Sequence, residues 1–366
     1  MIDAADAKAM AHALQLAERG LYTTDPNPRV GCVIVKDGVV VGASYHERAG
    51  EPHAEARALR QAADKARGAT VYVTLEPCCH QGRTPPCTSA LIDARVYRVV
   101  AAMPDPNPKV AGKGLMALQA AGIEVDVGLM QAQAAALNPG FIQRMQSQRP
   151  YVRIKLAASL DGRTAMANGE SKWITGDAAR NDVQRWRARS SAIITGIGTV
   201  RTDDPSLNVR NIKTTRQPLR VVLDSQLMLS PLAKILNGAG NALVVTASKN
   251  AKSGEILRSA GAEVLYLPGQ KGQIDLSALM RHLTAREMNE ILIEAGPTLS
   301  GAMLEGGLVD EIILYFAPHL LGNSARGLFA LPGVAHLAQR IALTIIDVRP
   351  IGEDWRMIAR VINKNN

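Results

Sequence analysis

Residues 71–91 read V-Y-V-T-L-E-P-C-C-H-Q-G-R-T-P-P-C-T-S-A-L. The opening V-Y-V-T-L is apolar and β-branched, which predicts a strand. Pro85 and Pro86 stand just ahead of a helical run, and the fixed φ of proline suits a first helical turn, so a helix is expected to open near Pro86. Cys78 and Cys87 therefore flank a strand-to-helix connection. Upstream, His53-Ala54-Glu55 starts another helix, expected to run to about Ala66. One imidazole, two thiols and a carboxylate at such positions match the ligand set of a catalytic zinc, in which three protein ligands leave one position open.

Outward from this stretch the pattern keeps alternating. Residues 6–20 place Met10, Leu14, Ala17 and Leu21 at helical spacing. V-G-C-V-I-V, a Lys36-Asp37-Gly38 turn and V-V-V-G-A-S-Y-H then predict a β-hairpin. A strand V-Y-R-V-V-A-A (96–102) completes the signature of a three-layer α/β domain. The segment 131–150, Q-A-Q-A-A-A-L-N-P-G-F-I-Q-R-M-Q-S-Q-R-P, has helical spacing that Pro150 stops, so the expected domains are 1–146 and 147–366. The second domain starts on the strand Y-V-R-I-K-L-A-A-S, continues through an amphipathic helix over 177–189 and the strands A-I-I-T-G, L-R-V-V-L-D-S, N-A-L-V-V-T-A-S and A-E-V-L-Y-L-P, and leads from E-I-L-I-E-A-G into G-P-T-L-S-G-A-M-L. It closes on antiparallel-looking I-I-L-Y-F-A-P and W-R-M-I-A-R-V-I.

The metal reading assigns roles to each group. His53 and Glu55 lie at a helix start, where the dipole favours a carboxylate, and a thiol at the Cys87 position has its pKa lowered toward the metal-binding thiolate. Zinc makes a water nucleophilic at neutral pH, and Glu55 is placed to accept the water proton, pass it to a ring nitrogen and protonate departing ammonia without touching the metal. H-x-E followed by P-C-x-x-C is the zinc deaminase signature. Here eight residues rather than two separate Cys78 from Cys87, which leaves open whether Cys79 or His80 replaces one of them. Pro77 before the first cysteine and a helix start at the second favour Cys78 and Cys87. Cys32, inside V-G-C-V-I-V, is expected to be a buried packing residue, and His12, His282 and His336 to be structural.

A length of 366 residues favours two cores over one. With 47% hydrophobic and 20% charged residues the chain reads as globular. Without a secretory leader or a bilayer-spanning stretch, and with three of four cysteines within ten positions, it is expected in the cytoplasm with its cysteines on metal rather than in disulfides. The net charge is +9, and residues 151–366 hold most of the excess, 26 basic against 19 acidic side chains. Scattered basic residues and only 4% aromatics argue against a nucleic-acid groove and for small phosphorylated ligands. A nucleic-acid-editing deaminase with an accessory RNA-binding domain is the competing reading.

With T-L-E-P-C-C-H-Q-G-R-T-P-P-C at 74–87, H-A-E at 53–55 and D-P-N-P-R-V-G-C-V-I-V at 25–35, the chain resembles the bifunctional deaminase-reductases of bacterial riboflavin biosynthesis. The likeness continues through K-L-A-A-S-L-D-G-R-T-A (155–165), G-E-S-K-W-I-T (169–175), D-D-P-S-L-N-V-R (203–210) and E-A-G-P-T-L-S-G-A (294–302). It implies a cytidine-deaminase-like domain followed by a dihydrofolate-reductase-like α/β domain. The implied reactions are hydrolysis of the 2-amino group of 2,5-diamino-6-(5-phosphoribosylamino)pyrimidin-4-one, then reduction of the ribosyl chain to ribityl with NADPH.

The resemblance also implies site residues. Zinc falls to His53, Cys78 and Cys87, and proton transfer to Glu55. Ala157, Trp173, Thr199, Asp203, Ser225 and the run Gly296, Pro297, Thr298, Leu299, Ser300, Gly301 and Ala302 should line NADPH, while Ser171, Arg187, Leu207, Arg210 and Glu294 should line the substrate. The Gly296–Thr298 turn between strand and helix suits phosphate, and Arg187 and Arg210 suit a two-pronged phosphate grip. Trp173 can alternatively be core, and Gly196-Ile197-Gly198 lacks the third glycine of a Rossmann turn. The expected partners are a small phosphorylated pyrimidine and further copies of the chain, with no nucleic acid and no membrane.

Overall fold

The computed structural model describes residues 2–81 and 85–362. The chain divides into two compact units, Met1–Arg149 and Pro150–Asn366, against an expected boundary at 146/147.

In the first unit a five-stranded sheet runs in the order β2-β1-β3-β4-β5, with β1 (Gly31–Lys36), β2 (Val39–Tyr45), β3 (Thr70–Val73), β4 (Arg98–Ala101) and β5 (Glu124–Val127). The hairpin and the β1–β3 pair are antiparallel, and the rest is parallel. Alternation along β1 sends Cys32 and Ile34 to one face and Val33 to the other. On the Cys32 face pack α2 (Ala54–Ala62), α3 (Cys87–Asp93) and α4 (Lys113–Ala120) through Ala58, Leu91 and Leu118. On the other face α1 (Ala4–Glu18), α5 (Gln131–Leu137) and α6 (Pro139–Ser147) contribute Met10, Ala134 and Phe141. The helical run 131–147 is broken at Asn138 because Pro139 lacks an N–H and biases the residue before it away from helix. The Asn138 side chain uses the break, accepting from Arg29 N–H at 2.8 Å and donating to Arg29 O at 3.0 Å.

The second unit is built on a nine-stranded sheet. Its strands are β6 (Tyr151–Ser159), β8 (Ala192–Gly196), β9 (Leu219–Leu223), β10 (Ala242–Thr246), β11 (Ala262–Tyr266), β12 (Glu290–Ile293), β13 (Glu311–Ala317), β15 (Leu343–Ile351) and β16 (Asp354–Val361), in the order β11-β10-β9-β8-β12-β6-β13-β16-β15. All are parallel except β16 and β15. Short β7 (Arg163–Ala165) and β14 (Arg326–Gly327) pair apart from the sheet. Strands β9 and β10 are buried along their whole length, which is why L-R-V-V-L and A-L-V-V-T are apolar on both faces apart from the buried Arg220 and Thr246. One face is covered by α10 (Leu276–Ala285) and α11 (Pro297–Glu305), the other by α7 (Asp177–Arg189), α8 (Ile197–Asp203) and α9 (Ala251–Ser259). Among the described residues no helix is long and apolar enough to cross a membrane.

Candidate active sites

In the first unit the helix starts converge on one point. His53 is the N-cap of α2, and its Nδ1 faces Cys87 Sγ at 3.3 Å and Cys78 Sγ at 3.5 Å. The three ligand atoms lie within 4.8 Å of one another. A tetrahedral zinc with bonds of about 2.0–2.1 Å to nitrogen and about 2.3 Å to sulfur separates neighbouring N and S ligands by roughly 3.5 Å, so the spacing fits the ion. Among the described residues, Cys79 and His80 do not join the group. Gly82, Arg83 and Thr84 of the intervening loop lie outside the described residues. The Cys87 amide donates to Cys78 Sγ at 3.4 Å. The hydrogen bond from the Cys87 thiol, joined by His53, holds Cys78 well below the usual thiol range, whereas the same bond and burial push Cys87 up. In this pair the thiolate therefore forms first at Cys78 and not at the helix-start cysteine where it was expected.

Glu55, in the first turn of α2, is almost fully buried, and burial pushes its carboxyl up from the ordinary value. It is thus a group able to hold a proton beside the two sulfurs. Cys32 is wholly enclosed in the core, as its sequence context predicts, and burial raises its thiol pKa.

Three polar residues around the cluster escaped the sequence reading. His46 packs edge-on to His53 with ring centres 5.2 Å apart. Its Nε2 accepts from the Asn27 amide at 3.0 Å, so Nδ1 carries the proton toward Pro52 O at 3.4 Å, and burial lowers its pKa to about 4. Asp105 is buried, and desolvation, then the charges of Glu76 and Cys78, push it up to about 6. The available signal was a repeated D-P-N-P, at 25–28 and 105–108, that supplies both Asn27 and Asp105.

In the second unit the expected residues collect at the carboxyl ends of the parallel strands, the usual ligand crevice of an open α/β sheet. Ala157 lies on β6, Ser225 follows β9, Glu294 follows β12, and Thr199 and Asp203 lie on α8 after β8. The order β8-β12-β6 shows the reversal of strand order at which such crevices open. Gly296 caps α11 with Pro297 at its first position, and no side chain caps this end. Thr298 and Leu299 follow in the first turn, where orphan amides suit phosphate. Ser300 and Gly301 instead face inward. Ser300 is fully buried with Oγ against Ala295 O, and a Cβ on Gly301 would lie 1.9 Å from Ala330 O. Ala302 is exposed on the same helix.

Arg187 departs from expectation. Its fork is closed on Glu294, with Nε to Oε1 at 2.6 Å and Nη2 to Oε2 at 2.9 Å, so the two-pronged phosphate grip is spent on a carboxylate. Burial raises the Glu294 pKa, and the Arg187 charge and hydrogen bonds more than offset it, leaving the carboxyl below its ordinary value. Lys155, missed in the sequence, shares this cluster: burial lowers its pKa while Glu294 opposes the shift. Arg210 is exposed, anchored by its backbone N–H to Gln184 Oε1 at 2.9 Å. Leu207 is buried, and Ser171 is half-buried. Trp173 is not core, being 70% exposed with the Arg180 guanidinium 4.6 Å above its ring. Lys172 reaches Asp203 at 3.3 Å.

Residues 3–103 match the cytidine and deoxycytidylate deaminase zinc-binding region, and residues 150–357 match the RibD C-terminal domain. The riboflavin biosynthesis protein RibD of Escherichia coli (strain K12) is 52% identical over 358 residues, covering 94% of this chain and 96% of that protein. RibD of Acinetobacter baumannii superposes with a TM-score of 0.91 at 50% identity, covering 98% of this chain and 99% of its own. A diaminohydroxyphosphoribosylaminopyrimidine deaminase/5-amino-6-(5-phosphoribosylamino)uracil reductase from Thermotoga maritima superposes with a TM-score of 0.87 at 32% identity, over 97% and 98% of the two chains.

Proposed function

The chain belongs to the RibD family of bifunctional deaminase/reductases of riboflavin biosynthesis, and from that premise we propose how its residues divide the two reactions. Deamination of the diaminopyrimidine ribotide falls to the unit ending at Arg149, and NADPH-dependent reduction of its ribosyl chain to the unit beginning at Pro150. His53, Cys78 and Cys87 hold the zinc, and the carrying observation is the convergence of their ligand atoms beside a buried carboxyl. Bound zinc supplies Lewis-acid activation of water, and bound NADPH supplies the reducing equivalents.

Glu55 takes a proton from the attacking water and delivers it to the ring nitrogen, then takes the second proton from the hydroxyl of the tetrahedral adduct and delivers it to the amino group, which leaves as ammonia. Asn27, neutral His46 and Asp105 face the pyrimidine ring as a polar frame around this point. In the second unit the amides of Thr298 and Leu299 hold a cofactor phosphate, with Ala157, Trp173, Thr199, Asp203, Ser225, Gly296 and Ala302 along the cofactor. Ser300 and Gly301 shape that turn from behind. Ser171, Leu207 and Arg210 line the substrate, with Arg210 on its phosphate, while Arg187 holds Glu294 ionised beside Lys155. The reaction takes place in the cytoplasm, where thiols stay reduced, in keeping with four free cysteines. The physiological form is a homo-oligomer: edge strand β15 leaves Leu343, Ile345, Ile346 and Val348 exposed, a surface that a second copy would cover.

The test supplies the diaminopyrimidine ribotide with and without NADPH and follows ammonia and nicotinamide absorbance separately. Glu55→Gln keeps zinc and reduces the deaminated product normally, while ammonia release falls by about a hundredfold or more. Deamination at the native rate with full zinc occupancy would remove Glu55 from the mechanism.

A further inference from the structure

Glu76, two residues ahead of Cys78, is a buried carboxylate that the chemistry above leaves unused. Its two oxygens accept four backbone N–H groups. Oε2 takes Asp105 and Gly112, each at 2.9 Å, and Oε1 takes Gly114 at 2.9 Å and Leu115 at 3.3 Å. Its own N–H donates to Met103 O at 3.0 Å. Gly112, Gly114 and Leu115 are the N-cap, second and third positions of α4, a helix without a side-chain cap of its own, so Glu76 caps it from a different strand end. The fourth bond extends beyond the helix, to Asp105. The same helix start presses on the metal loop, because a Cβ on Gly114 would stand 2.1 Å from Pro77 O. One carboxylate therefore ties together the peptide that carries Cys78, the loop that carries Asp105 and the first turn of α4.

We propose that Glu76 is a positioning residue of the deaminase, setting where Asp105 stands relative to the metal loop. It touches neither substrate nor metal, and it acts through Asp105, so the inference rests on the reading of Asp105 as a substrate contact. A carboxylate is required because four donors converge on two oxygens. In the Glu76→Gln variant an NH2 group replaces one oxygen and turns two of those amides from partnered to opposed.

The experiment uses the full-length zinc-loaded enzyme and compares Glu76→Gln, Asp105→Asn and the double variant. Glu76→Gln raises the deaminase KM about tenfold or more, with kcat within about twofold, one zinc per chain and reductase kinetics unchanged. The double variant is no worse than Asp105→Asn, because coupled positions are not additive whereas a general loss of stability would multiply the two effects. Glu76→Asp, which keeps the charge and both oxygens on a shorter arm, shows the same KM rise and serves as the test should the glutamine variant lose zinc or fail to fold. A native KM in a zinc-loaded Glu76 variant, or multiplicative effects in the double variant, overturns the positioning role while leaving Asp105 in place. A native KM in Asp105→Asn defeats the substrate reading itself, and the proposal with it.

Discussion

Two arginines expected to do the same work are placed to do different things. Arg210 is exposed and its guanidinium is available for a phosphate, while Arg187 is committed to Glu294. Charge-assisted hydrogen bonds contribute about 1.5–3 kcal/mol, so Arg210→Ala should lower reductase kcat/KM roughly ten- to a hundredfold through substrate affinity, with NADPH titration unchanged. Kinetics unchanged within error would make Arg210 a surface residue only. Arg187→Ala should act differently. Without its partner the Glu294 carboxyl keeps the burial that raises its pKa and loses the charge that lowers it, so the acid limb of the reductase pH profile should move to higher pH. A profile that keeps its position would show that Glu294 ionisation does not control the reaction. His53, Glu55, Cys78 and Cys87 could be read from sequence because zinc chemistry fixes residue type and helix-start position together. The Arg187–Glu294 pair could not, since which of two arginines meets a carboxylate 107 residues away depends on how strands are ordered.

At the scale of elements, periodicity and turn chemistry placed the hairpin, the helix over 177–189 and the apolar parallel strands, because each is a local pattern with one dominant period. Edge strand β15 was not legible: all of its residues but Asp347 and Ile351 are exposed, so its sequence does not alternate cleanly. The G-P-T-L-S-G-A run shows a similar limit. The resemblance lines the cofactor with the whole run 296–302, whereas the helix turns Ser300 and Gly301 toward the core. Gly301 meets Ala330 at a distance that admits no side chain, so Gly301→Ala should cost about 1–3 kcal/mol by overpacking. Thermal unfolding of the reductase unit should record that loss, with NADPH affinity falling only as the turn shifts. An unchanged melting temperature would mean that the segment at Ala330 yields freely.

For the whole molecule, the two units have separate sheets and separate cores, with the division at Arg149/Pro150. A fragment covering 150–366 should therefore fold and reduce the deaminated product with NADPH at a rate near that of the intact chain. Light scattering of the same fragment should show an oligomer if β15 forms the contact between copies. A fragment that is insoluble while the intact chain is sound would show that the reductase unit depends on the deaminase unit. The position of β12 carries a further consequence, for synthesis. It lies between β8 and β6 yet is made after β11, the strand at the far edge. During translation β6 and β8 emerge with their common neighbour still unmade, and the slot stays empty until residue 293 is available. At ribosomal speeds of about 5–20 residues per second, the roughly hundred residues from β8 to β12 represent about 5–20 s of exposed apolar strand edges. In a growing cell that interval, more than the finished fold, is when the reductase half is most open to capture by a chaperone or by another nascent chain.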